Sequence, residues 1–134
     1  MSNLTTISIG GGCVKILIID DSQVMRNIHK NVLAENKIDP GRFLEADNGD
    51  AALNLALENE VALFLVDWNM PGLNGLEFVK AIRAMDQYQT TPIVMITSEA
   101  AKYHVLEAVE AGVTDYVVKP IQGSVLWKKL MSYL

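Results

Sequence analysis

Short runs of mostly apolar residues recur along this chain, and each stops abruptly at polar ones. Val14–Ile19 is β-branched and interrupted only by Lys15, whereas Ala62–Val66 and Pro92–Ile96 are apolar throughout. Tyr116–Val118 is briefer, and Arg42–Ala46 is more polar, as suits a strand near a sheet edge. Runs this short predict strands, and the uniformly apolar ones predict strands buried on both faces of a parallel sheet. Between them the spacing becomes helical. Ser22 is a natural N-cap. Val24, Met25, Ile28, Val32 and Leu33 follow it at helical intervals through about Glu35. An alanine- and leucine-rich stretch, about Asp50–Asn59, predicts the second helix. Leu73–Met85 predicts a third, with Leu76, Phe78, Val79 and Ile82 inward. Ala100–Ala111 is a fourth, stopped by Gly112. Ser124–Leu134 is the last, with Val125, Leu126 and Leu130 on its apolar side. Asp39-Pro40-Gly41, Asp47-Asn48-Gly49 and Met70-Pro71-Gly72 separate the elements as turns.

Strict alternation of strand and helix predicts an α/β fold with a parallel sheet and right-handed crossovers. Five strands and five helices suggest the flavodoxin-like order 2-1-3-4-5, with helices on both faces. That order is a fold-level analogy, because periodicity types the elements without saying which are neighbours. In such sheets ligands bind beyond the carboxyl ends of the strands, where the strand order reverses.

At 134 residues the chain has the length of one domain. No apolar run approaches a membrane span, and Met1–Gly12 lacks the charged-then-apolar pattern of a secretory signal. Residues 1–13, with Gly10-Gly11-Gly12, read as a flexible lead-in; Thr6–Ile9 is only a weak strand candidate. A single cysteine, Cys13, permits no internal disulfide and fits a reducing cytoplasm. A formal net charge of −5 argues against general nucleic-acid affinity.

The polar residues that end the runs carry the chemistry. Asp20 and Asp21 follow the first strand, Asp67 the third, Thr97 the fourth and Lys119 the fifth. Taken singly, each has a bland reading: Asp67 as a turn former, Asp20-Asp21 as partners of a helix dipole. Together they put three carboxylates, a hydroxyl and an ammonium around one crevice. Like charges about 4 Å apart repel by roughly 4 kcal/mol at an effective dielectric near 20, so the cluster calls for a cation. Oxygen ligands without His or Cys favour a hard ion such as Mg²⁺.

Asp20-Asp21, Asp67, Thr97 and Lys119-Pro120, at these separations, resemble the receiver domain of two-component response regulators. The resemblance covers about Val14 to the C-terminus, so the receiver is expected over 14–134. DWNMPGLNGLEF (Asp67–Phe78) and DYVVKP (Asp115–Pro120) resemble the single-domain chemotaxis regulators of that family. The resemblance implies a phosphorylation-activated switch rather than a conventional enzyme, catalysing only its own phosphorylation and autodephosphorylation. Asp67 would accept a phosphoryl group from a histidine kinase. Asp21, Asp67 and the Asn69 backbone carbonyl would ligate Mg²⁺, with Asp20 acting through a bound water. Lys119 and Mg²⁺ would offset phosphoryl charge, and Thr97 would turn toward the phosphoryl group so that Tyr116 rotates inward. Lys119-Pro120 would be a cis peptide, and Asn69 and Glu99 would tune hydrolysis. Lys102, Tyr103, Tyr116 and Lys129 would form the output face, with the flagellar switch as the target suggested. Ile121 stands where those regulators often have Phe, and Tyr103, His104 and Trp127 also depart from them. A cytoplasmic monomer without membrane insertion is the expectation. A receiver cut from a longer regulator or hybrid kinase is the alternative within the family.

An aspartate-nucleophile phosphatase would need a second Asp two residues after Asp67, where this chain has Asn69. A flavodoxin-like cofactor binder would place a phosphate against the acids and lacks a Gly/Ser/Thr-rich loop after strand one. His29 and His104 read as surface residues, Lys128-Lys129 as a solvated helix face, and Trp68 as a probe beside Asp67.

Overall fold

In a computed structural model, five parallel strands form one sheet in the order β2-β1-β3-β4-β5. The structure describes residues 14–68, 70, 72–98 and 102–134, apart from the side chains of 102–104. The strands are β1 (Lys15–Ile19), β2 (Phe43–Ala46), β3 (Val61–Asp67), β4 (Ile93–Thr97) and β5 (Asp115–Val118). Alternating with them are α1 (Gln23–Glu35), α2 (Gly49–Glu58), α3 (Gly75–Arg83), α4 (Lys102–Ala111) and α5 (Gly123–Leu130). The more polar β2 is an edge strand, as its composition predicts.

Because successive strand side chains point to opposite faces, the buried runs supply two cores at once. On one face Leu17, Ile19, Phe64, Val66, Ile93 and Met95 pack with Ala52, Ala56, Phe78, Val79, Ile82 and Ala108 of α2, α3 and α4. On the other, Ile16, Ile18, Leu63, Leu65, Val94, Ile96 and Val117 meet Val32, Leu33, Leu126 and Leu130 of α1 and α5. Caps set the helix starts. Ser22, Asn48 and Asn74 each accept a backbone N–H of their helix's first turn. The Asn74 cap moves the start of α3 from the predicted Leu73 to Gly75. α5 stops at Leu130 and continues as a 3₁₀ turn, Met131–Tyr133.

Three expectations about faces fail. Val24 is 68% and Val125 45% exposed, each sitting at the margin of an apolar stripe already filled by its neighbours. His29, read as a surface residue, is 1% exposed. It lies four residues from both Met25 and Leu33, so the 3.6-residue period places it on the face that α1 turns toward the sheet. Cys13 and Thr6–Ile9 lie outside the described residues.

Candidate functional site

The strand alternation continues past the strand ends and sorts the polar residues. Asp20 N–H pairs with the Ala46 carbonyl at 3.1 Å, and Lys119 N–H with the Thr97 carbonyl at 2.7 Å. Asp20 keeps step with Ile16 and Ile18, Asp67 with Leu63 and Leu65, and Lys119 with Val117. All three therefore emerge on the side of the sheet covered by α1 and α5. Thr97 keeps step with Ile93 and Met95 on the opposite side.

Asp20, Asp21 and Asp67 each bring a carboxylate oxygen within 4.8 Å of the others. Asp20 and Asp67 are buried, and Asp21 is exposed at the mouth. Lys119 Nζ lies 3.5 Å from Asp67 Oδ1, with its side chain 26% exposed. Asp20 Oδ1 accepts the Ser22 N–H at 2.9 Å, whereas its buried Oδ2 has no hydrogen-bond partner. Burial raises the Asp20 carboxyl from 3.8 to about 6; the negative Asp67 adds to the rise, while the Ser22 N–H and Lys119 oppose it. An orphaned carboxylate oxygen beside two further acids is a donor set short of positive charge. These donors fit a hard divalent cation such as Mg²⁺, with Asp21 at the solvent side where the ion would enter.

Thr97 ends β4 and is 1% exposed. Tyr116 pairs with Met95, two residues before Thr97, so the two side chains share a face. Tyr116 is half-buried, with Lys129 Nζ 5.1 Å from its ring centroid. The same ammonium lies 3.0 Å from Asp115 Oδ1. The Lys119-Pro120 peptide is cis, as expected. Trp68 adjoins Asp67 in sequence yet is buried in the core beneath α2 and α3. Lys102 opens α4, while its side chain and that of Tyr103 lie outside the described residues, as do Asn69 and Glu99. A cleft of about 690 Å³ at the amino-terminal end of the sheet, lined by Val14, Val61, Tyr88 and Pro92, contains none of these residues.

Gly75 belongs to the site although the sequence reading passed over it. A Cβ there would stand 2.9 Å from Trp68 Cα and 3.1 Å from the Asp67 carbonyl oxygen. Its N–H donates to the Trp68 carbonyl at 3.2 Å, so α3 starts directly against the end of β3. A glycine opening a helix carries little signal by itself, because the close approach is tertiary.

Residues 16–131 match the family model described as response regulator receiver domain. The chain is 44% identical over 122 residues to a chemotaxis protein CheY homolog of Campylobacter jejuni, covering 90% of this chain and 92% of that protein. It is 39% identical over 117 residues to chemotaxis protein CheY of Pseudomonas aeruginosa, covering 87% and 93%. Among solved structures, the chemotaxis response regulator CheY4 of Vibrio cholerae superimposes with a TM-score of 0.83 at 34% identity, covering 90% of this chain and 98% of that one.

Proposed function

This chain belongs to the response regulator receiver domain family, and from that premise we propose that it switches by accepting a phosphoryl group on Asp67 from a histidine kinase, in chemotaxis or flagellar motor control. Receiver domains of this type are signalling switches rather than conventional enzymes. The observation that carries the proposal is Asp67 itself: a buried carboxylate within 4.8 Å of two further acids and 3.5 Å from Lys119. The chemotaxis assignment draws on the relatives, which this chain matches over nearly their whole length.

In the transfer, an Asp67 oxygen attacks phosphorus, the new O–P bond forms as the N–P bond to the donor imidazole breaks, and the imidazole leaves with the electron pair. Asp20, Asp21, Asp67 and the Asn69 carbonyl would hold Mg²⁺, which supplies charge neutralisation to the phosphoryl oxygens. Lys119, already beside Asp67, offsets the same charge from the protein side. Asp20 has one oxygen tied to the Ser22 N–H, and its other, unpartnered oxygen would be available to the ion. Thr97 reorients to hydrogen-bond the phosphoryl group, and Tyr116, on the same face, follows inward. That movement alters the surroundings of Lys129, which joins Lys102, Tyr103 and Tyr116 in the output face. The chain acts as a monomer in the cytoplasm, with a flagellar switch component as its target.

Acetyl phosphate or beryllofluoride tests the reading. Mass spectrometry should find phosphate on Asp67 after acetyl phosphate treatment with Mg²⁺ and none in EDTA. Phosphorylation undiminished in EDTA would remove the metal role, and phosphorylation retained in Asp67→Asn would remove Asp67 as acceptor.

A further inference from the structure

Arg26 lies outside the acid cluster, yet its guanidinium reaches the backbone of the cluster's first member. Nη1 donates to the Asp20 carbonyl at 2.6 Å. Nε donates to Glu45 Oε1 at 3.0 Å, and Nη2 to Gln23 Oε1 at 2.7 Å. Glu45 is fixed in turn by Lys30, 2.8 Å from its other oxygen, and this bond chiefly holds its carboxyl below the usual range. The Arg26 side chain is 11% exposed and its bond to the Asp20 carbonyl is partly buried, whereas its bonds to Glu45 and Gln23 lie at the surface.

The connections close a ring. Glu45 immediately precedes Ala46, whose carbonyl accepts the Asp20 N–H at 3.1 Å. Asp20 is thus gripped at its N–H by β2 and at its carbonyl by an arginine anchored to the same strand. The Asp20 carbonyl belongs to the peptide plane that joins Asp20 to Asp21. Whatever fixes that plane sets the direction in which Asp21 leaves the backbone. Asp21 is exposed and just beyond the last strand residue, where the sheet no longer orients it.

We propose that Arg26, anchored by Glu45 and Gln23, is a positioning residue that holds the Asp20–Asp21 peptide plane so that Asp21 is pre-aimed at the Mg²⁺ held with Asp67. The proposal rests on the phosphoacceptor reading of Asp67 and adds a residue that touches neither metal nor phosphate. Supporting groups outside a metal's ligands typically change affinity about 10- to 100-fold when lost, because the ligands must then be ordered by the ion itself. Once the ion saturates the site, that ordering is complete and the chemical step proceeds as before. Arg26 therefore governs the Mg²⁺ concentration required far more than the maximal rate.

The test is Mg²⁺ titration followed by Trp68 fluorescence, in a Trp127→Phe background, for the parent protein, Arg26→Met, Arg26→Lys and Glu45→Gln. Arg26→Met keeps most of the apolar stem and removes the fork; its Mg²⁺ dissociation constant should rise about tenfold. Arg26→Lys, with a single ammonium, should recover only part of the loss. Glu45→Gln, which loosens the anchor while keeping the strand, should shift the constant in the same direction by less. The rate of phosphorylation by acetyl phosphate at saturating Mg²⁺ should stay within about threefold of the parent value in all three. An unchanged Mg²⁺ constant in Arg26→Met would overturn the positioning role while leaving Asp67 as acceptor intact. A maximal rate that collapses with an unchanged constant would overturn it too. A parent protein that binds no Mg²⁺, by calorimetry as well as by Trp68 fluorescence, would remove both this inference and the metal reading beneath it. Glu45→Gln keeps the proposal open to refutation even where Arg26→Met is poorly folded.

Discussion

His29 carries two ring nitrogens without hydrogen-bond partners in an interior where such groups cost stability. Burial lowers its pKa from 6.5 to about 4, and the positive Lys119 adds to the effect. Above pH 6.5 the ring is neutral in both folded and unfolded chains and has no influence on the pH dependence. As pH falls toward 4, the unfolded chain takes up a proton that the folded one refuses, and stability is lost. At about 1.4 kcal/mol per unit, the loss approaches roughly 3 kcal/mol by pH 4. Asp20 works in the opposite sense: its raised carboxyl gives stability that is present at low pH and lost as pH rises through about 6. The comparison of wild type with His29→Leu removes the Asp20 contribution, since both proteins share it. Urea denaturation in EDTA should show His29→Leu more stable by about 1–2 kcal/mol at pH 7. The difference should widen as pH falls to 4.5. A difference that stays constant with pH would show that the His29 ring protonates as readily inside the fold as outside it.

At the scale of elements, the junction of β3 and α3 is where packing controls the site most tightly. Gly75 has backbone atoms of Trp68 and Asp67 where a side chain would begin, and backbone yields less readily than a flexible side chain. Gly75→Ala should therefore cost about 1–3 kcal/mol in urea denaturation, by overpacking. It should also slow phosphorylation, because α3 and the Asp67 carbonyl must move apart. A variant as stable and as fast as wild type would show that the junction is looser than these distances imply. Such contacts explain why some of the site was legible in the sequence and some was not. Asp20, Asp67, Thr97 and Lys119 were legible because each sits directly after an apolar run, so strand assignment alone places it at the sheet's carboxyl edge. Their convergence needed the strand order, which came from resemblance. His29 was hidden because a polar residue within an apolar stripe looks like a solvent position. Val24 and Val125 misled in the opposite way, since apolar spacing does not reveal which stripe member lies at the margin. Gly75 and Arg26 act through the backbone of Asp67, Trp68 and Asp20, across the turns that join strand to helix, and no side-chain pattern announces such contacts.

For the molecule as a whole, the acids set stability against function. Folding brings Asp20, Asp21 and Asp67 to one edge of the sheet and leaves a buried Asp20 oxygen unpartnered. Asp67→Asn keeps the side-chain shape but removes one charge from this trio. It also removes the ion pair with Lys119, but at 3.5 Å with a partly exposed ammonium that pair is of small value. Relief of the repulsion felt by Asp20 is the larger effect, about 1–2 kcal/mol after screening. In EDTA the variant should therefore be at least as stable as wild type. Mg²⁺ reverses the comparison, because it binds the folded wild-type protein and stabilises it by mass action, by about 2.7 kcal/mol at a hundred times the dissociation constant. The variant, with one carboxylate fewer, gains less, so the two stabilities converge or cross as Mg²⁺ rises. Urea denaturation of both proteins across a Mg²⁺ series, starting from EDTA, measures this directly. A variant markedly less stable than wild type in EDTA would make Asp67 a structural residue, and the edge of acids would then need a different explanation. Stabilities that shift in parallel with Mg²⁺ would instead place the ion away from Asp67. Crossing curves would mean that the fold bears a charge cluster it is more stable without, and that the cation its function requires also restores that stability.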